Sequence, residues 1–328
     1  MNHRTILQEI SILDLPGLHV GHAQNTTAKT GVTVLLFDQG ARVGIDISGG
    51  GPASRETPLA NPETADNPVN AIVLSGGSAY GLSASEGVMR YLEEHRIGCP
   101  SGFANVPLVL QSCIYDLGIG DANIRPDAQM GYDACANAQI PCTDPSLLQG
   151  NVGAGIGATV GKICGMERAD KSGIGIHAVS IGPLKIAAIV VLNALGDIFN
   201  PETGQKIAGL HNEDRSDYVD TRDILYQMFT PTDLFTGEEK SGNPVPLPST
   251  NTTIGAIITN GNFSKAELCK LASMTRCAYA RCINPVGTMA DGDSIYAASI
   301  GKIDADINMV GTLAAEVMEK AIQKAVSI

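Results

Sequence analysis

Apolar and β-branched runs separated by glycine turns predict strands in the first third of the chain. Residues 31–37, GVTVLLF, and 41–48, ARVGIDIS, flank Asp38-Gln39-Gly40, which predicts a hairpin whose three-residue loop places glycine at positive φ. Residues 70–95 open with an apolar run and a glycine turn. They continue with Leu82, Ser85, Val88, Met89 and Leu92 on one helical stripe, which predicts a strand-to-helix unit with Ser78 as its N-cap. Residues 150–162, GNVGAGIGATVGK, hold too much glycine for regular structure and are expected to turn sharply or wrap something closely. KIAAIVVLNALGD, at 185–197, reads as a buried strand ending near Asn193.

From Asn200 to Thr250 the pattern turns polar and proline-spaced, which predicts an exposed connection. Order resumes with TIGAIITN, a predicted strand. Ser264 and Glu267 then form an S-x-x-E capping box opening a helix with Leu268, Leu271, Ala272, Thr275 and Ala278 on one face. DSIYAASI, at 293–300, predicts another strand, and Val310, Leu313, Ala314, Val317 and Ala321 stripe a C-terminal helix. Strands and helices in mixed order predict a layered α/β or α+β domain spanning residues 1–328, without internal repeats.

Composition narrows the function. With 22 Lys and Arg against 34 Asp and Glu, the net charge of −12 argues against nucleic acid or anionic membrane as a partner. Residues 252–328 carry 7 basic and 7 acidic side chains, so the whole excess lies before Thr252. No secretory signal or membrane-length apolar run is present, which predicts a cytoplasmic protein whose eight cysteines are reduced thiols. The histidines, at 3, 19, 22, 95, 177 and 211, follow no metal-ligand spacing, and His19 and His22 read as turn residues. Neither a metal nor a cofactor is expected.

Three patterns bear on chemistry. Gly153 to Ala158 matches G-x-G-x-x-A, but no strand precedes it, and Gly161-Lys162 lacks the Ser or Thr of a phosphate-binding loop. Ser78 in GGSAYG is out of frame for a nucleophile elbow. Asn251-Thr252-Thr253 stands at a strand mouth, where threonine is an ordinary β former. If the 251–252 bond were cut, Thr252 would carry both a hydroxyl nucleophile and an α-amine of pKa about 7.7–8.0, suited to act as its base.

The motifs GLHVGHA, GGGPASRET, AIVLSGGSAYGLSASEGV, IYDLGIGD, GNVGAGIGAT, KSGIGIHAV, NTTIGAIITN and MADGDSIYAAS run in order over most of the chain. Together they resemble the L-aminopeptidase/D-amino-acid esterase family, with its β-peptidyl aminopeptidases and nylon-oligomer endohydrolase. The resemblance implies a four-layer α-β-β-α sandwich and a precursor that cleaves itself ahead of a Ser or Thr. Its products here would be 1–251 and 252–328, held together and assembled as a homo-oligomer, a tetramer of processed units. It implies Thr252 as nucleophile of the threonine branch and Asn251 as the residue whose carbonyl is attacked. Asp291 and Asp293 would be the acidic pair, Asn193 the oxyanion donor, Lys162 a cation beside the nucleophile and Tyr115 a substrate contact. Carboxylates at i and i+2 on an extended strand point the same way, which predicts both on the nucleophile's side. The connector ending in PST is expected to leave the scissile bond reachable.

The activity implied is hydrolysis of small peptides or amino-acid amides through an acyl-enzyme, without a cofactor. Two alternatives stay open: an acyltransferase of the same fold, in which an amine takes the acyl group, and a non-enzymatic small-molecule-binding protein using residues 150–162 as its ligand loop.

Overall fold

The computed structural model of the chain describes residues 7–228 and 251–327. Among them, ten strands form one hydrogen-bonded sheet: β1 (Leu7–Glu9), β2 (Leu18–Asn25), β3 (Thr30–Ile47), β4 (Ala53–Arg55), β5 (Val69–Ser75), β6 (Val109–Cys113), β7 (Ile174–Ile181), β8 (Leu184–Val191), β9 (Ile254–Gly261) and β10 (Ser294–Ile303). Their order is β1-β7-β8-β9-β10-β3-β5-β6-β4, with β2 also pairing β3. The longer helices are α1 (Ala84–Glu94), α2 (Ala128–Ala138), α3 (Thr221–Gln227), α4 (Lys265–Cys282) and α5 (Ile307–Lys324).

The predicted hairpin at 38–40 is not formed. Residues 30–47 are one strand whose first part pairs with β2 and β5 and whose last part, from Arg42, pairs with β10. The register slips between Leu36 and Ala41, and Gly40 takes φ 71° there, so glycine marks a bend and not a reversal. The cause is that β3 is apolar on both faces. Val32, Val34 and Leu36 pack toward α1 and α2, while Leu35, Phe37 and Val43 enter a second core. A two-stranded hairpin would leave one of those faces in water.

Bending at β3 folds the sheet into two packed halves. Leu35, Ile72, Leu74, Ile189, Ile258 and Tyr296 fill the space between them. α1 and α2 cover one outer face and α4 and α5 the other, giving the expected four layers, α-β-β-α. β8 shows why its sequence is apolar throughout 186–191: Ile186, Ala188 and Val190 face α4 and α5, and Ala187, Ile189 and Val191 face the inner core. Each fully buried branched side chain contributes about 1.5–3 kcal/mol relative to exposure.

The helices follow their sequence signals. Both halves of the Ser264/Glu267 capping box are made, and the predicted stripes of α4 and α5 are buried. α1 forms, but Ser78 is not its cap; it opens a 3₁₀ turn, Ser78–Ser83, with φ 53° behind Gly77. His19 and His22 lie on β2, not in a turn, and contact Asp38 and Thr33 of β3.

The stretch after Asn200 is more structured than predicted as far as it is described, and residues 229–250 of the connector lie outside the described residues. Lys206–Ala208 pairs with Asp197–Phe199, and α3 follows. Asp197, fully buried, accepts from Leu210 N, Thr221 N and Thr221 Oγ1, each at 2.8 Å, and from Lys206 Nζ at 2.7 Å. One carboxylate thereby folds a polar segment whose composition suggested a loop. No described helix is long and apolar enough to cross a membrane.

Candidate active site

Strand order gathers the candidate residues. β9 and β10 are parallel neighbours with Ile254 opposite Ser294, and β8 flanks β9 antiparallel with Val191 opposite Ile254. The chain just before β9, just before β10 and just after β8 therefore meets at one end of the sheet. This juxtaposes Asn251, Thr252 and Thr253 with Asp291, Gly292, Asp293 and Asn193. Lys162 arrives from the end of the glycine-rich stretch.

Contacts centre on the 251–252 peptide. The Thr252 hydroxyl donates to the Asn251 carbonyl oxygen. Gly292 N donates to the same oxygen at 3.0 Å. On the other side of the bond, Thr252 N donates to the Asn193 main-chain carbonyl at 2.9 Å. Lys162 Nζ donates to that carbonyl at 2.9 Å and to Asn193 Oδ1 at 2.8 Å. Thr159 N also donates to Asn193 Oδ1, at 3.1 Å, and Asn193 Nδ2 donates to the Tyr115 carbonyl at 3.0 Å.

Asn251 and Thr252 are only 2% and 5% exposed, contrary to the expectation of a reachable bond. The bond is thereby withdrawn from an external protease, while the Thr252 hydroxyl lies against its carbonyl.

The acidic pair differs from the expected arrangement. β10 begins at Ser294, so neither aspartate lies in a strand, and the two carboxylates take different donors. Asp291 Oδ2 accepts from Thr288 N at 2.8 Å and Thr288 Oγ1 at 2.6 Å. Asp293 accepts from Thr253 N at 2.6 Å and Gly287 N at 3.1 Å, thus gripping the residue after Thr252. What reaches the 251–252 peptide from this stretch is the Gly292 amide between them. Sequence reasoning missed it because a main-chain N–H has no residue signature. Its trace was the glycine itself: a Cβ there would stand 2.8 Å from Thr252 Oγ1 and from Gly51 O.

Electrostatics set the ionisation of the cluster. Complete burial pushes the Lys162 ammonium down to about 7, against the opposing pull of Asp291, Asp293 and Asp116. Burial, with the neighbouring Asp291 charge, holds the Asp293 carboxyl well above the usual carboxylate range. Near neutrality, Lys162 is therefore divided between its charged and neutral forms, whereas an exposed lysine is almost wholly charged.

Tyr115 joins the site through its carbonyl, with a half-buried side chain. The glycine-rich stretch is occupied by the protein itself: Ala154 N donates to Thr33 Oγ1, Gly153 N to Gln24 Oε1, and Lys171 Nζ takes the Gly155 and Ala158 carbonyls. Those two amides do not form an open phosphate cradle. Among the described residues, no group of three His, Cys, Asp or Glu is placed to hold a metal ion.

A strand-end threonine, a buried lysine and amide donors around one peptide, within four layers, define the class. The L-aminopeptidase D-Ala-esterase/amidase of Ochrobactrum anthropi, described as a new variant among the Ntn hydrolase fold, matches with a TM-score of 0.65 at 17% identity, over 96% of this chain and 85% of that one. The fold is thus of the Ntn-hydrolase type. The sequence profile of peptidase family S58 matches residues 11–328, and the chain belongs to that family, which makes it a hydrolase of amide bonds. It is 34% identical over 308 residues to an uncharacterized aminopeptidase of Mycobacterium leprae, covering 90% of this chain and 80% of that protein. It is 31% identical over 335 residues to a 6-aminohexanoate-oligomer endohydrolase of Agromyces sp., covering 98% of this chain and 87% of that enzyme.

Proposed function

We propose that the chain is a precursor that cuts its own Asn251–Thr252 bond, giving fragments of 251 and 328 − 251 = 77 residues, and that Thr252 then serves as nucleophile of an aminopeptidase or amidase. The observation that carries this reading is the Thr252 hydroxyl lying against the Asn251 carbonyl, whose oxygen is held by Gly292 N at 3.0 Å. Thr252 Oγ1 attacks the Asn251 carbonyl carbon, and the Gly292 amide stabilises the oxyanion. The hydroxyl proton is taken by the neutral Lys162 amine and a proton is delivered to the Thr252 nitrogen, the leaving group; both nitrogens donate to the Asn193 carbonyl, which keeps them near each other. The C–N bond breaks and an ester to Oγ1 remains. Water hydrolyses it, leaving Asn251 with a carboxylate and Thr252 with a free amine and hydroxyl.

In turnover the Thr252 amine accepts the hydroxyl proton, Oγ1 attacks a substrate amide, and the acyl-enzyme is hydrolysed. Asn193 donates to the oxyanion, an interaction worth about 3–4 kcal/mol in such sites. Asp293, through Thr253 N, fixes the strand entry, and Asp291 braces the loop carrying the Gly292 amide. The names of the relatives point to short peptides and linear amides such as 6-aminohexanoate oligomers as substrates.

N-terminal sequencing of the small fragment tests the reading, with Thr-Thr-Ile-Gly as the expected start. Thr252→Ala should persist as a 328-residue chain while the parent splits. A parent that stays intact on long incubation, or a variant that splits equally, refutes it.

A further inference from the structure

Asp116 lies beside the site without touching the 251–252 peptide. It is 2% exposed, follows Tyr115 directly, and ties three segments together. Its Oδ2 accepts from Thr30 Oγ1 and its Oδ1 from Gly77 N, both at 2.7 Å. The carboxylate fits a slot that only glycine permits. A Cβ on Gly76 would come within 1.9 Å of Oδ2, and one on Gly157 within 2.7 Å of the Asp116 Cβ. The glycine turn after β5, the start of β3 and the glycine-rich stretch before Lys162 are thus all packed on one side chain.

We propose that Asp116 is a positioning residue for self-cleavage: its anchored carboxylate sets the Tyr115 carbonyl that holds Asn193, and its charge acts on Lys162. This rests on the functional reading above. The relay is short. Asp116 fixes the chain at Tyr115, Tyr115 O receives Asn193 Nδ2 at 3.0 Å, and Asn193 Oδ1 receives Lys162 Nζ at 2.8 Å. Asp116 acts electrostatically on Lys162, Lys171 and the Cys113 thiol, while Asp291 and Asp293 also act on Lys162. Burial raises the Asp116 carboxyl above its ordinary range, opposed by its hydrogen bonds from Thr30 and Gly77; in its ionised form it favours protonated Lys162, so removing it makes the neutral amine available at lower pH.

The test follows self-cleavage of full-length precursor, made in a cell-free system at low temperature and jumped to a series of pH values. Asp116→Asn retains size, can still accept from Gly77 N and can meet Thr30 with the bond reversed, and loses the charge. It should keep most of the plateau rate and move the pH limb toward acid by on the order of one unit. Asp116→Ala should lower the plateau at least about tenfold, and Thr30→Val, which loses an anchor without altering charge, should lower it with the limb unmoved. A parental limb in Asp116→Asn overturns the charge role. If the aspartate variants fail to fold, a parental plateau in folded Thr30→Val overturns the anchoring role. Cleavage that persists in Thr252→Ala would instead sink the functional reading, so the two failures are distinguishable.

Discussion

If Lys162 carries the proton in the proposed self-cleavage, the reaction should be steeply pH-dependent in a range where an exposed lysine would be inert. Burial disfavours the charged form of a base, so the value falls from 10.5 to about 7. At pH 7 an ordinary lysine of pKa about 10.4 is neutral in roughly 0.04% of molecules. Lys162 is neutral in about half, a gain on the order of 10³-fold in available base. The sign follows: with the neutral amine required, the rate rises with pH, reaching about a tenth of its plateau at pH 6 and flattening above about pH 8. Lys162→Arg keeps a cation that donates hydrogen bonds but holds its proton throughout this range. It should slow cleavage by at least about 10²-fold at every pH, and Lys162→Met should do the same. The assay is densitometry of the 77-residue fragment after a pH jump of cell-free precursor, with circular dichroism to show that each variant is folded. A rate that varies less than twofold between pH 6 and 8, or a Lys162→Arg chain that cleaves like the parent, refutes the reasoning.

Gly292→Ala would place a Cβ 2.8 Å from Thr252 Oγ1 and from the Gly51 carbonyl, so the hydroxyl or the loop must shift. Cleavage should slow by about tenfold or more, as expected for misplacing a reacting group, read on the same gel. Asp197→Ala removes the counter-charge of Lys206, which still donates to the Val219 carbonyl, and leaves three further buried donors without this acceptor, and should cost about 3–5 kcal/mol in urea unfolding; a loss under 1 kcal/mol would mean the segment holds without it. Ser264→Ala removes the N-cap of α4 and should cost about 1 kcal/mol with little effect on cleavage rate.

Local patterns were legible wherever one residue's chemistry decides. The Ser264/Glu267 box, the buried stripes of α4 and α5, and the doubly apolar run of β8 could be read directly, because capping and periodicity act over a few residues. Thr252 and Asn193 stood at the ends of apolar strands, but their roles were implied only by the family resemblance, because a threonine at a strand mouth is an ordinary β former. The turn at 38–40 misled because loop length suggested a hairpin, whereas two separate cores each claimed one face of β3. The segment at 197–221 misled because its fold depends on one buried carboxylate whose donors lie beyond any local window.

The sequence by itself determined which faces must be buried, since that is a property of side-chain type and spacing, and its family resemblance singled out the candidate residues. Only the tertiary structure decided that the Gly292 amide, and not a carboxylate, meets the Asn251 oxygen, and that Lys162 is dry enough to titrate near neutrality. A main-chain donor has no letter in the sequence, and desolvation is produced by the surrounding layers as a whole, so both come into being only when β8, β9 and β10 lie side by side.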